Sequence, residues 1–167
     1  MAVNPVLNHP SNENTVETVD LRMLFADIQT EIGQSLAPEI QLDVKLASSL
    51  PLAACCRERL RDAIVQLLSN ARDALPAGGI IGLSAAARHH RDGVSSLDLH
   101  VSDNGIGMEG TMLRRALEPF FTTKTTGLGG LGLTIVSHFA REVGGKFHLE
   151  SEFEIGTRAT LSLPAFV

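Results

Sequence analysis

The chain has 167 residues, 44% of them hydrophobic and 20% charged, the composition of one ordinary globular domain with room for a tail. A chain of this length buries roughly 70% of its unfolded surface, so it needs no disulfide or metal staple to fold. Lys and Arg number 14 against 19 Asp and Glu, a net charge of −5 that argues against nucleic-acid binding by counterion release, and no run approaches the ~20 apolar residues of a membrane span.

Residues 1–18 are polar, rich in Asn and broken by Pro5 and Pro10, and read as a linker or disordered tail without the layout of a secretory signal. Asp20 is an N-cap candidate, and Leu21, Leu24, Phe25, Ile28, Ile32 and Leu36 follow at helical spacing. Ile40, Leu42, Val44 and Leu46 alternate as a strand does. The two cysteines, Cys55 and Cys56, are adjacent, which suits neither a disulfide nor a tetrahedral zinc site. They read as reduced, buried filler in a cytoplasmic protein.

From Arg57 the period is helical again, with Leu60, Ile64, Leu67, Leu68, Ala71 and Leu75 on one stripe ended by Pro76, Gly78 and Gly79. Ile81, Leu83, Ala85 and Ala87 alternate, a polar turn surrounds Arg91 to Gly93, and Leu97, Leu99 and Val101 alternate in return, the pattern of a hairpin. A glycine loop follows over 103–110, a short helix over 111–117 stopped by Pro119, and an irregular stretch over 120–130. Residues 131–143 form an amphipathic helix with Leu131, Ile135, Val136, Phe139 and Val143 on one side and Gly144 as its C-cap. Strands over 146–152 and 157–163 flank a turn at 154–156. This order of helices and hairpins predicts an α/β fold, a two-layer sandwich with one mixed sheet, and not a doubly wound nucleotide fold.

Several short segments bear chemistry. Gln66 and Asn70 share a helix face, where two amide oxygens could hold a hard cation such as Mg²⁺ or simply face solvent, with Arg72 and Asp73 beside them. Asp103-Asn104-Gly105-Ile106-Gly107 ends a strand in a carboxylate followed by glycines, either a β-turn or a carboxylate that accepts from a ligand amine. Glu118-Pro119-Phe120-Phe121-Thr122-Thr123-Lys124 sets two aromatics beside hydroxyls and a lysine. The glycines from Gly127 to Gly132 open directly into a helix, an arrangement that suits phosphate at the helix start but matches neither a Walker loop nor a dinucleotide fingerprint. Gly156-Thr157 begins the last strand.

Taken in order, the run from Gln66 through Asn70 to Asp73, the Asp103–Gly107 loop, the Glu118–Lys124 segment, Gly130-Leu131-Gly132-Leu133 and Gly156-Thr157 resemble the N, G1, F, G2 and G3 boxes of the ATP-binding catalytic domain of sensor histidine kinases. That family belongs to the wider group of gyrase, Hsp90, histidine kinase and MutL ATPases. The resemblance implies a Bergerat-type ATP-binding fold over 19–167, with ATP and Mg²⁺ as its cofactors. It implies Asp103 as acceptor for the adenine amino group, Gly105 and Gly107 as the loop around base and sugar, and Thr157 as an aid to adenine recognition. Asn70 would coordinate Mg²⁺ with Gln66 beside it as a second ligand or orienting group, and Asp73 would belong to the same patch. Gly130, Leu131 and Gly132 would meet the phosphates, and Lys124 with Phe120 and Phe121 would form the lid.

Two positions depart from the family pattern. Gln66 is not a carboxylate base, so ATP hydrolysis by a glutamate-activated water is not implied. Gly129 stands where the family usually places Thr or Ser, which predicts weaker or more lid-dependent ATP affinity. The expected reaction is transfer of the ATP γ-phosphoryl group to a histidine. None of the six histidines (His9, His89, His90, His100, His138 and His148) has an acidic residue and then proline after it, the signature of an acceptor. The acceptor is therefore expected on a dimerisation domain, a response regulator downstream, and no membrane or nucleic-acid contact by this domain. The rival readings are a stand-alone anti-sigma-type serine kinase or regulatory ATP-binding protein, and a conformational ATPase like gyrase or Hsp90.

Overall fold

The computed structural model describes residues 17–89, 95–118 and 131–166. The chain order is β1 (Glu17–Val19), α1 (Leu21–Gly33), β2 (Ile40–Leu46), β3 (Leu52–Cys55), α2 (Arg57–Asp73), β4 (Gly79–His89), β5 (Ser95–Asp103), α3 (Gly110–Arg115), α4 (Gly132–Glu142), β6 (Lys146–Glu152) and β7 (Gly156–Phe166). The strands form one seven-stranded sheet in the order β1-β3-β7-β5-β4-β2, with β6 also on β7. β2 runs parallel to β4 and the other pairs are antiparallel, so the sheet is mixed as expected.

Each long helix forms for a reason visible in its own residues. The Asp20 carboxylate accepts from the Arg22 N–H at 2.8 Å, which satisfies one of the amides that a helix start leaves open. α2 buries Leu60, Ala63, Ile64, Leu67, Leu68 and Ala71, and α4 buries Val136, Phe139 and Ala140. Against them the sheet presents Ile81, Leu83 and Ala85 from β4, Leu97, Leu99 and Val101 from β5, and Ala159, Leu161 and Leu163 from β7. Period-2 alternation puts these on one face, so helices and sheet share one core. The opposite face of the sheet is polar. There the buried Asp98 carboxylate meets Arg88 Nε at 2.9 Å and accepts from the Ser162 hydroxyl at 2.6 Å.

Surface ion pairs clip the helices together: Arg57 with Asp27 at 2.7 Å, Arg61 with Glu31, and Arg59 with Glu142. Each is worth about 1 kcal/mol at most, so the core and not the charges decides the arrangement. Cys55 is fully buried in β3, and burial pushes its thiol up to about 12, which makes it inert filler.

Three details differ from the sequence reading. Glu17 and Thr18, assigned to the tail, form β1 with Val19, and β3 lies where no strand was expected. Both strands are too short for alternation to show, and pairing with β7 and with each other holds them. Ile135, placed on the buried side of α4, is 56% exposed. The buried stripe runs through Val136, Phe139 and Ala140, one helical position around from it.

The Phe139 ring of α4 is buried in the core, with the Arg59 guanidinium of α2 5.5 Å from its centroid. Phe139→Ala is expected to lower stability by about 3–5 kcal/mol in urea unfolding, through cavity formation with a small cation–π loss added.

Candidate active site

The apolar face of the sheet ends in a polar row. Strand register aligns Ile81 of β4 with Asp103 of β5, Asp103 with Thr157 of β7, and Thr157 with Ser151 of β6. Asp103 is thus the next residue on the face that carries Leu97, Leu99 and Val101, and its carboxylate points to the helix side at the margin of the core.

Burial is the larger influence on Asp103 and raises its carboxyl above the ordinary value of 3.8, while the backbone N–H groups of Gly105 and Thr157 pull it back down. The Gly105 N–H donates to Oδ1 at 2.9 Å. A half-buried carboxylate with unspent acceptor capacity is a fitting partner for a ligand N–H donor.

The loop after β5 is seated by its backbone. The Ile106 N–H donates to the Ala74 carbonyl at the end of α2 at 2.9 Å, and the Glu154 N–H donates to the Ile106 carbonyl at 2.8 Å. Gly105 and Gly107 are needed because these contacts are so close. A methyl group at Gly105 would meet the Ala74 carbonyl oxygen, and one at Gly107, whose φ is +59°, would meet the Glu152 carbonyl oxygen. The glycines therefore serve the seating of the loop between α2 and the β6–β7 turn.

On α2, Gln66 and Asn70 share a face as the spacing predicted. Gln66 Nε2 donates to Asn70 Oδ1 at 3.4 Å. The first residue of α4, Gly132, lies directly against Gln66. Leu131 precedes it and its carbonyl accepts from the Ile135 N–H at 2.9 Å, opening the helix. Asp73 stands at the exposed end of α2 and accepts from the Arg72 guanidinium at 3.2 Å. The fold thus brings together Gln66, Asn70 and Gly132 in one group, and Asp103, Gly105 and Thr157 in another. The Ala74–Ile106 bond ties the two groups at the end of α2. Lys124, Gly130 and the Phe120-Phe121 pair lie outside the described residues.

One residue escaped the sequence reading. The Ser151 hydroxyl lies 2.8 Å from the Thr157 hydroxyl and donates to the Gly156 carbonyl at 3.0 Å, which fixes the Thr157 side chain beside Asp103. Its only signal is cross-strand register, which no local pattern reveals.

Residues 56–166 match the family described as histidine kinase-, DNA gyrase B-, and HSP90-like ATPase, and the chain belongs to that family. Within it, this is an ATP-binding catalytic domain of the histidine-kinase type. Sensor kinase CckA of Brucella abortus is 32% identical over 162 residues, which cover 90% of this chain and 17% of CckA. Two-component sensor PprA of Pseudomonas aeruginosa is 41% identical over 113 residues, 64% of this chain and 12% of PprA. The chain therefore spans less than a fifth of the length of either relative. Among solved structures, the catalytic domain of histidine kinase ThkA superposes with a TM-score of 0.78 at 21% identity, over 90% of this chain and 96% of that one. Full-length ShkA in complex with AMPPNP superposes with a TM-score of 0.77 at 25% identity, over 95% of this chain and 33% of ShkA.

The raised carboxyl of Asp103 has a consequence for stability. The folded state holds its proton more tightly than the unfolded state does. Its favourable contribution is complete below the unfolded value and is lost as pH rises through the raised folded value. Asp103→Asn, uncharged and of the same shape, should be more stable than the parent at neutral pH without nucleotide. The gap should close as pH falls below the ordinary carboxylate range, measured by urea unfolding from about pH 3 to pH 8.

Proposed function

We propose that this domain holds ATP·Mg²⁺ with adenine against Asp103 and transfers the γ-phosphoryl group to a histidine on a dimerisation domain, with a response regulator as the next acceptor. The observation that carries the reading is the Asp103 carboxylate, set at the end of an otherwise apolar sheet face beside the Thr157 hydroxyl. Adenine offers an exocyclic amine to a carboxylate, whereas guanine offers a carbonyl oxygen at the same place, so the site selects ATP over GTP. Thr157, held by Ser151, adds a hydroxyl next to that contact.

The residues present fit magnesium. Mg²⁺ takes oxygen ligands, keeps several waters and is commonly bound through a few protein oxygens plus substrate phosphates. Among the described residues no group of three or more His, Cys, Asp or Glu could form a cage, and Asn70 Oδ1 on α2 is the oxygen we assign to the ion. When bound, the ion supplies charge neutralisation on the phosphates. The backbone amides at the start of α4, around Leu131 and Gly132, are suited to the phosphate oxygens, with Gly130 and Lys124 as further contacts and Asp73 at the rim of the site.

In the transfer the bond from the β–γ bridging oxygen to phosphorus breaks, a bond from the acceptor imidazole nitrogen to phosphorus forms, and ADP departs. Such transfer is positioning and charge stabilisation, so a domain that orients ATP can be catalytic without a carboxylate base at Gln66. No helix of the described residues is long and apolar enough to cross a membrane. Action on the cytoplasmic side is part of this proposal.

Asp103→Asn should weaken a fluorescent ATP analogue by about 10- to 100-fold in equilibrium titration, the loss of a hydrogen bond to a charged group. Unchanged affinity would remove the adenine assignment. With radiolabelled ATP, a separately supplied dimerisation hairpin should gain an acid-labile phosphate. Acid-stable phosphoserine on a partner would instead establish the anti-sigma-type reading.

A further inference from the structure

Gln66 is the side chain on which α2 and α4 meet. Its carboxamide nitrogen donates to Asn70 Oδ1, one turn further along α2, at 3.4 Å. From the other side α4 begins against the same atom. A methyl group at Gly132 would collide with Gln66 Nε2 and lie 2.6 Å from Cδ and 3.0 Å from Cγ. Gly132 is the first helical residue, and it has no left-handed φ to justify glycine. Space for the Gln66 side chain is what its glycine provides.

The orientation of the amide matters. Gln66 presents an N–H to the Asn70 oxygen, so the Asn70 carboxamide is turned with its oxygen, the atom a hard cation prefers, toward Gln66, the side chain against which α4 starts. A glutamine that ligated the ion itself would use its own oxygen. Here the nitrogen faces Asn70, and the role is to aim another residue's ligand atom.

We propose that Gln66 is a positioning residue for nucleotide-borne Mg²⁺: its side-chain N–H orients Asn70 Oδ1 toward the cation, and Gly132 leaves the gap in which it does so. The inference rests on the reading of Asn70 as the magnesium ligand. It makes Gln66 a link between the start of α4 and the metal site, acting through Asn70 and not by touching ion or phosphate. Ligand-orienting partners of this kind typically change metal affinity by about 10- to 100-fold.

The test is a Mg²⁺ titration of the domain with a non-hydrolysable fluorescent ATP analogue, alongside the analogue's affinity in EDTA. Asn70→Ala comes first. If Mg²⁺ enhances binding to that variant as it does to the parent, the reading of Asn70 fails, independently of Gln66. With Asn70 sustained, Gln66→Met, of similar volume but without a donor, should raise the Mg²⁺ midpoint about tenfold and leave affinity in EDTA unchanged. A purely structural role would shift both. Gln66→Glu separates the two possible roles by sign. Loss of the donor weakens Mg²⁺ binding if residue 66 positions Asn70, whereas a direct ligand turned into a carboxylate binds Mg²⁺ more tightly and overturns the proposal. Unchanged midpoints in both variants also overturn it. Gly132→Ala should reproduce the Gln66→Met loss in the parent and cost nothing further in Gln66→Ala, where the obstructing side chain is gone. Additive losses would detach Gly132 from Gln66 and refute that half of the proposal.

Discussion

The rotation of α2 about its own axis governs the rest of the molecule. Its buried stripe of Leu60, Ile64, Leu67, Leu68 and Ala71 must face the core shared with α1, α4 and the sheet. A helix turns about 100° per residue, so once that stripe is buried every other side chain has a fixed direction. Gln66 and Asn70 then lie on the flank that meets the start of α4, and Ala74 at the helix end faces the loop after β5. Interiors packed to crystal-like density do not allow small adjustments of that rotation. The group of Gln66, Asn70 and Gly132 and the group of Asp103, Gly105 and Thr157 are therefore held in a constant relation by hydrophobic burial.

The same alternation that builds the core builds the site proposed for adenine. Leu97, Leu99 and Val101 are fully or almost fully buried, and Asp103 follows them on the same side of β5. Placing a carboxylate there disfavours its ionised form, and only the N–H groups of Gly105 and Thr157 offset that effect in the free domain. In the proposed function a ligand amine supplies what is missing. The site is thus less favourable for folding than an apolar residue would be and more favourable for recognition, the usual tension at a binding carboxylate.

The cluster of glycines takes its meaning from contacts between distant elements. Gly105 and Gly107 let the loop lie against the end of α2 and the β6–β7 turn, and Gly132 lets α4 begin against Gln66. In each case the missing Cβ is replaced by protein and not by solvent. The resemblance to nucleotide-binding boxes points to these positions as bounds of a ligand, and the geometry adds that they hold neighbouring elements together.

The sequence by itself determined the helices α1, α2 and α4, the long strands and the mixed α/β architecture, and it named the candidate site residues, because amphipathic period, caps and short motifs are local and each is written in consecutive residues. It left β1 and β3 unseen, since strands of three and four residues have no period to show and exist only through their partners. It placed Ile135 on the wrong side of α4, since a one-position choice between neighbouring apolar stripes depends on what lies opposite. Ser151 beside Thr157, and Gln66 between Asn70 and Gly132, became visible only with the register of β6 on β7 and the meeting of α2 with α4. Those relations join residues far apart in the chain. They are set by how the whole core packs, a condition that no single segment carries.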